Sequence, residues 1–216
     1  MSIAEKFGPN AAKLWQTFIT QEQLTPVQAD QFEQYLTMLR DWNEQINLTR
    51  IIDVEDIIAY HFQDSMRIAD YVDIGTKQGI CDVGTGAGFP GIPLKILYPD
   101  VPVVLLEVNN KKAAFLEAVI AKLGLQSCEV NTLDWRTFLR QTTYTIDLFV
   151  ARASLQLEQL VHVFKPSCRY NKAELIYWAS QKWKPGLHEK PYLIRQQTYT
   201  VGNQQRVYAF FSAQKK

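Results

Sequence analysis

The chain has 216 residues, 47% hydrophobic and 21% charged. That composition excludes a disordered chain and suffices for one full domain with an appendage. No run of about 18 apolar residues occurs, which excludes a membrane-spanning helix, and the start MSIAEKFGPNAAKLW lacks the basic and apolar regions of a secretory signal. The net charge of +1 hides an asymmetry: residues 1–164 hold 13 Lys and Arg against 20 Asp and Glu, whereas residues 165–216 hold 10 against 2.

In chain order, the first third reads as helical. Thr25, Pro26 and Gln28 form a capping signature, and Phe32, Tyr35, Leu36, Leu39 and Trp42 recur at helical spacing up to Asn43. A second helix is expected from Asp53, with Glu55 and Asp56 at its positive end and the stripe Ile57, Ile58, Phe62, Met66 and Ala69. From Gly79 short apolar runs alternate with helices. Strands are expected at Ile80 to Val83, Val103 to Glu107, Cys128 to Asn131, Ile146 to Ala151 and Glu174 to Ala179. Helices are expected at Ile92 to Tyr98, at Asn110 to Leu123 with Gly124 as its stop, and at Gln156 to Phe164. The closing runs from Tyr192 to Val201 and Gln205 to Ala213, joined by Gly202, Asn203 and Gln204, give a hairpin signal. The expected fold is therefore α/β: a mostly parallel seven-stranded sheet with an antiparallel C-terminal hairpin, preceded by N-terminal helices. The expected division is a helical extension over residues 1–75, packed on a core domain over residues 76–216.

The loop from Asp82 to Gly91 (DVGTGAGFPG) ends the first strand, where open α/β sheets bind ligands. Gly84 and Gly86 expose bare backbone to a cofactor, and Glu107, 23 residues past Gly84, can accept ribose hydroxyls. Two cofactor classes compete. Gly86, Gly88 and Gly91 formally match a dinucleotide fingerprint, but that frame starts three residues after the strand; from Gly84, the third glycine position holds Phe89. Asp82 would repel a pyrophosphate and attract an ammonium-bearing ligand. The charge favours S-adenosylmethionine, with an NAD-binding oxidoreductase as the alternative. No Lys-Ser or Lys-Thr follows the glycines, so a phosphate-binding P-loop is not expected.

Three cysteines (Cys81, Cys128 and Cys168) lie far apart. No disulfide framework and no metal site is expected, and a cytoplasmic location follows as the default. In the basic tail, cations alternate with nine aromatics: Tyr170, Tyr177, Trp178, Trp183, Tyr192, Tyr199, Tyr208, Phe210 and Phe211. Phosphates would take the charge and unpaired bases would stack on the rings. Lys165, Arg169, Lys172, Lys182, Lys184 and Trp183 are candidates for RNA contact, and Arg206 is the strongest candidate for a phosphate.

Asn47-Leu48-Thr49, His61-Phe62-Gln63-Asp64-Ser65, the glycine loop through Pro93-Leu94, Glu107 with Lys111-Lys112 and Phe115-Leu116, and Arg152-Ala153 occur in order. Together they resemble the RsmG (GidB) family over about Val27 to Ala153. The resemblance implies a Rossmann-like class I methyltransferase that uses S-adenosylmethionine. Its substrate would be 16S ribosomal RNA or a small-subunit precursor, methylated at guanine N7, at position 527. It places cofactor contacts on Gly84, Phe89, Glu107, the Trp135-Arg136 pair and Arg152, with the Trp135 ring either stacked on an adenine or part of the core. His61 and Asp64 are expected near the target base, His61 ordering the junction between helices and sheet, Asp64 stabilising the cationic product. A guanine N7 already carries a lone pair, so proximity and alignment suffice and no general base is expected. The chain is expected to act as a monomer. It departs from the family at Tyr60, Asp134 and Ala179-Ser180, positions where cations are usual. Those departures keep a non-catalytic RNA-binding relative as a third reading.

Overall fold

The structure, a computed structural model, describes residues 3–152 and 154–213. Ala153, second residue of the Arg152-Ala153 motif, lies outside them. The N-terminal part comprises α1 (Ile3–Phe7), α2 (Pro9–Gln21) and α3 (Pro26–Asn43). At the start of α3 the Thr25 side chain accepts from Gln28 N, and Thr25 N donates to the Gln28 side chain, so two otherwise unpaired end groups satisfy each other. After Asp53 the chain forms α4 (Val54–Ile57), wider π turns over Ile58–Gln63 and α5 (Asp64–Met66), then a 3-10 turn at Arg67–Asp70. The expected single helix is thus present but widened in its middle. Such turns form where main-chain carbonyls take partners outside the helical ladder, and Tyr60 O here accepts from Arg152 Nη1.

Beyond it follow β1 (Ile80–Val83), α6 (Gly91–Leu97), β2 (Val103–Leu106), α7 (Asn110–Leu123), β3 (Cys128–Asn131), α8 (Trp135–Gln141) and β4 (Leu148–Arg152). The chain closes with α9 (Leu157–Leu160), a 3-10 turn at Val161–Phe164, β5 (Glu174–Ser180), β6 (Leu193–Val201) and β7 (Gln204–Phe211). The strands form one seven-stranded sheet in the order β3-β2-β1-β4-β5-β7-β6. β1 to β5 run parallel, and β7 is antiparallel to both β5 and β6. The α/β architecture with its antiparallel closing hairpin is therefore the observed one.

Alternation along the strands divides the core. Ile80, Val103, Leu105, Leu148 and Val150 face a layer containing Phe32, Tyr35 and Phe62 of the N-terminal helices with Phe115 of α7. Cys81, Val83, Val104, Leu106 and Phe149 face α8 and α9. The N-terminal helices thus share one continuous apolar core with the sheet. Among the described residues no helix is long and apolar enough to cross a membrane, and no cluster of three or more His, Cys, Asp or Glu could hold a metal ion.

Candidate functional site

The strand order reverses at β1, which lies between β2 and β4, and open parallel sheets bind ligands in the crevice outside the carboxyl ends of the strands at such a point. The chain leaves β1 through three glycines with positive φ: Gly84 (65°), Gly86 (64°) and Gly88 (100°). A Cβ on Gly84 would stand 2.6 Å from Ser154 Cβ, and one on Gly88 would strike Ile92 and the Tyr35 hydroxyl. Gly86 differs, because a Cβ there would meet nothing within 4 Å. The first and third glycines are required for packing, whereas the second borders open space.

Asp82 sets the shape of the loop. It is fully buried, and its Oδ2 accepts from the Thr85 hydroxyl at 2.6 Å and from Gly91 N at 2.7 Å. Oδ1 has no hydrogen-bond partner. Burial pushes its pKa up to about 6, against the two hydrogen bonds and Arg152, which lower it. The Gly91 amide opens α6 and would be the natural donor to a pyrophosphate. Here a carboxylate of this same chain already occupies it, which disfavours the dinucleotide reading. Glu107 follows β2, nearly buried, with Oε2 accepting from Gly86 N and Oε1 from Asn109 N, both at 2.9 Å. Each oxygen keeps a second lone pair for a ribose hydroxyl. Next to it Val108 is 62% exposed, an apolar surface at the crevice that the sequence patterns did not single out. Two carboxylates and bare main chain fit a ligand that is cationic and phosphate-free.

Behind the loop lies a buried ionic network. Arg152, at the end of β4, donates Nη1 to Asp64 Oδ2 at 2.9 Å and to Tyr60 O, while Nη2 lies 3.1 Å from His61 Nδ1. Its guanidinium stands 5.1 Å over the Phe89 ring, and His61 stacks on the same ring at 4.3 Å. Arg152 retains Nε–H and one Nη2–H for a ligand. His61 Nε2 is 2.8 Å from Thr49 Oγ1. Burial, followed by the Arg152 charge, lowers its pKa to about 3. His61 is therefore neutral at physiological pH. With Nδ1 accepting from Arg152, Nε2 carries the proton and donates to Thr49. The ring thus joins Thr49, after α3, to Arg152 at the end of β4.

Several sequence expectations require correction. Asp64 is fully buried. Its Oδ1 accepts from the Tyr199 hydroxyl, and Oδ2 is shared by Arg152 and, at 3.4 Å, Arg206. It cannot reach a target base, because both oxygens face protein groups. Arg206 is drawn inward by the same carboxylate and lies on β7, flanked by β5 and β6, so it is not a free phosphate contact. The Trp135 indole is a core ring: it is 5% exposed, packs against Phe138 and Phe149, and donates Nε1–H to Gln159 O. Stacking on an adenine would require pulling it from that core. Arg136 is exposed at the first turn of α8, and Asp134 caps that helix through Arg136 N and Thr137 N. Of the nine tail aromatics, Tyr170, Trp178, Tyr199, Tyr208, Phe210 and Phe211 are buried. Trp183 is half-buried against Tyr177 and Phe211. The rings are core, not a stacking platform for bases. Lys182 and Lys184 remain exposed on the loop before β6.

A seven-stranded sheet of this order, with a glycine turn after its first strand and a carboxylate after its second, is the fold of the class I methyltransferases. Solved structures agree with this fold: a human methyltransferase 10 domain containing protein (TM-score 0.58, 16% identity, covering 82% of this chain and 97% of that one) and a putative O-methyltransferase from Klebsiella pneumoniae (TM-score 0.57, 14% identity, covering 83% and 90%). The model of the GidB family, rRNA small subunit methyltransferase G, matches residues 28–201, and the chain belongs to that family. Curated relatives carrying the name Ribosomal RNA small subunit methyltransferase G include those of Roseiflexus sp. (40% identity, covering 74% of this chain and 67% of the relative) and Bacillus subtilis (38%, covering 68% and 63%). A third, from Staphylococcus epidermidis, is 34% identical over 87% of this chain and 77% of its own length.

Proposed function

We propose that this protein transfers a methyl group from S-adenosylmethionine to N7 of a guanine in 16S ribosomal RNA, the resemblance pointing to position 527. The observation that carries the cofactor reading is the Asp82 carboxylate on Gly91 N, which closes the anion site of α6 and leaves a negative crevice edged by Gly86 and Glu107. Glu107 would accept the ribose hydroxyls, Val108 would offer apolar surface to the base, and Asp82 would act on the cationic tail through charge. When bound, the cofactor supplies an electrophilic methyl carbon on a sulfonium. The support for N7 is the state of the ionisable groups around the crevice. His61 has both ring nitrogens engaged and a pKa near 3, and Asp64 is saturated by Tyr199, Arg152 and Arg206. A site whose acids and bases are committed to structure suits a nucleophile that needs no deprotonation, with rate gained through alignment. Phe89, covered by the His61 ring and the Arg152 guanidinium, would hold the loop still while the base approaches.

The test is mass-spectrometric mapping of 16S rRNA from cells with and without the gene, together with methylation of the unmodified RNA or subunit by purified protein. Loss of 7-methylguanosine at one nucleotide, restored in vitro with S-adenosylmethionine, is the expected result. Identical maps from the two strains would refute the reading. Calorimetry should show binding of S-adenosylhomocysteine and none of NAD.

A further inference from the structure

A cavity of about 740 Å³ lies away from the glycine loop, between α8 and residues 161–169. Arg136 and Arg140 line it from α8, one helical turn apart and hence on one side of the helix. Lys165 and Arg169 line it from the facing segment, which also contributes His162 and Ser167. All four cations are exposed, and no carboxylate is among the described residues that line the cavity. None of these four cations forms a salt bridge among the described residues, so nothing in the lining neutralises them. Arg136 also stands in the first turn of α8, where the helix dipole disfavours a cation. His162 reports the local potential: burial comes first, then Lys165 and Arg136 hold it below its ordinary value, against Glu158. Facing cations repel one another unless an anion lies between them.

Topology gives the cavity a direction. α8 opens just after the loop that leaves β3, so Arg136 stands at the crevice end of the sheet. Arg169 lies close before β5, at the opposite end of the strands. At 1.5 Å per residue, Arg136 and Arg140 stand about 6 Å apart along the axis of α8.

We propose that this groove binds the phosphodiester backbone of RNA that flanks the methylated nucleotide, leading it from the crevice down the α8–α9 face of the sheet. The inference rests on the ribosomal-RNA reading above. It moves the RNA surface away from the tail aromatics and Arg206 and onto a cleft that two separate chain segments build together.

The experiment measures binding of in vitro transcribed 16S rRNA, and of small subunits lacking the modification, over a range of salt concentrations. The proteins are wild type and the Arg140→Gln/Arg169→Gln double variant, with S-adenosylhomocysteine calorimetry on both. Both positions are exposed, so the fold should persist, and circular dichroism checks this. Removing two phosphate contacts should flatten the plot of log affinity against log salt by about 1.4 to 1.8, and weaken binding about 10- to 100-fold at low salt, with cofactor affinity unchanged. A double variant with wild-type affinity and slope, while the wild type still methylates, overturns the groove and leaves the proposed function standing. Weakened binding to subunits but not to naked transcript would assign the groove to an acidic protein and overturn the RNA proposal. A wild type that binds S-adenosylhomocysteine but neither binds nor methylates either RNA substrate overturns both readings.

Discussion

Gly86 and Gly124 share a φ of +64°, and a Cβ on either would meet nothing within 4 Å. They differ in place: Gly86 borders the crevice, and Gly124 ends α7. This pair separates backbone strain from occlusion of a ligand. Replacing either with leucine should cost about 1–2 kcal/mol, because a side chain in the left-handed region crowds its own carbonyl. For a chain of this size the melting temperature should fall by roughly 2–8 °C. Only Gly86→Leu should also remove cofactor binding, with S-adenosylhomocysteine affinity lowered at least about 100-fold by calorimetry. Equal affinity in the two variants would show that the ligand does not lie against this main chain. The glycine turn and Glu107 were legible in the sequence, because both depend on short spacings after a strand. Val108 was not, since an exposed valine carries no signal until its neighbours are placed.

Among the elements, the segment from Val54 to Met66 does most to join the two parts of the sequence. Its stripe of apolar residues was readable from helical periodicity, as were the strands and the closing hairpin. Its ionic role was not, because the partners of Asp64 lie 88 residues away at Arg152 and 135 residues away at Tyr199. The same residue's main-chain carbonyl accepts from Trp178 Nε1 and from the Tyr208 hydroxyl. One position therefore holds β4, β5, β6 and β7 to the helical layer. Asp64→Asn keeps the shape but leaves Arg152, with a side chain only 11% exposed, without its counter-charge. Breaking a buried pair from one side costs about 3–5 kcal/mol, and urea denaturation should report a loss of that order. Arg206→Gln should cost less, since its contact is longer and its side chain is 26% exposed. A change below about 0.5 kcal/mol for Asp64→Asn would mean that the network is incidental to the fold.

For the whole molecule, the charge asymmetry of the sequence resolves into distinct uses of basic residues: Arg206 goes inward to Asp64, Arg195 lies over the Phe210 ring at 3.8 Å, and Lys165 and Arg169 face α8. A count of charges could not separate these fates, because pairing is decided by contacts across the sheet. The same packing fixes how stability responds to acid. Folding holds His61 near a pKa of 3, against 6.5 in the unfolded chain, so below about pH 6.5 the unfolded state takes a proton that the folded state refuses. Stability therefore falls on acidification towards pH 3. Asp82, raised from 3.8 to about 6, acts in the opposite direction: between those values the folded state keeps a proton that the unfolded state has lost. From about pH 4 to 6 the two slopes offset each other, so the wild type alone would hide both. A comparison with His61→Gln isolates the histidine, because every other titration is common to both proteins. Gln can accept from Arg152 and donate to Thr49 but cannot charge. Relative to wild type, this variant should gain about 2 kcal/mol of stability between pH 7.5 and pH 5, read from urea denaturation at each pH. Parallel pH profiles for the two proteins would show that the imidazole titrates freely in the folded state and is not clamped between Arg152 and Thr49.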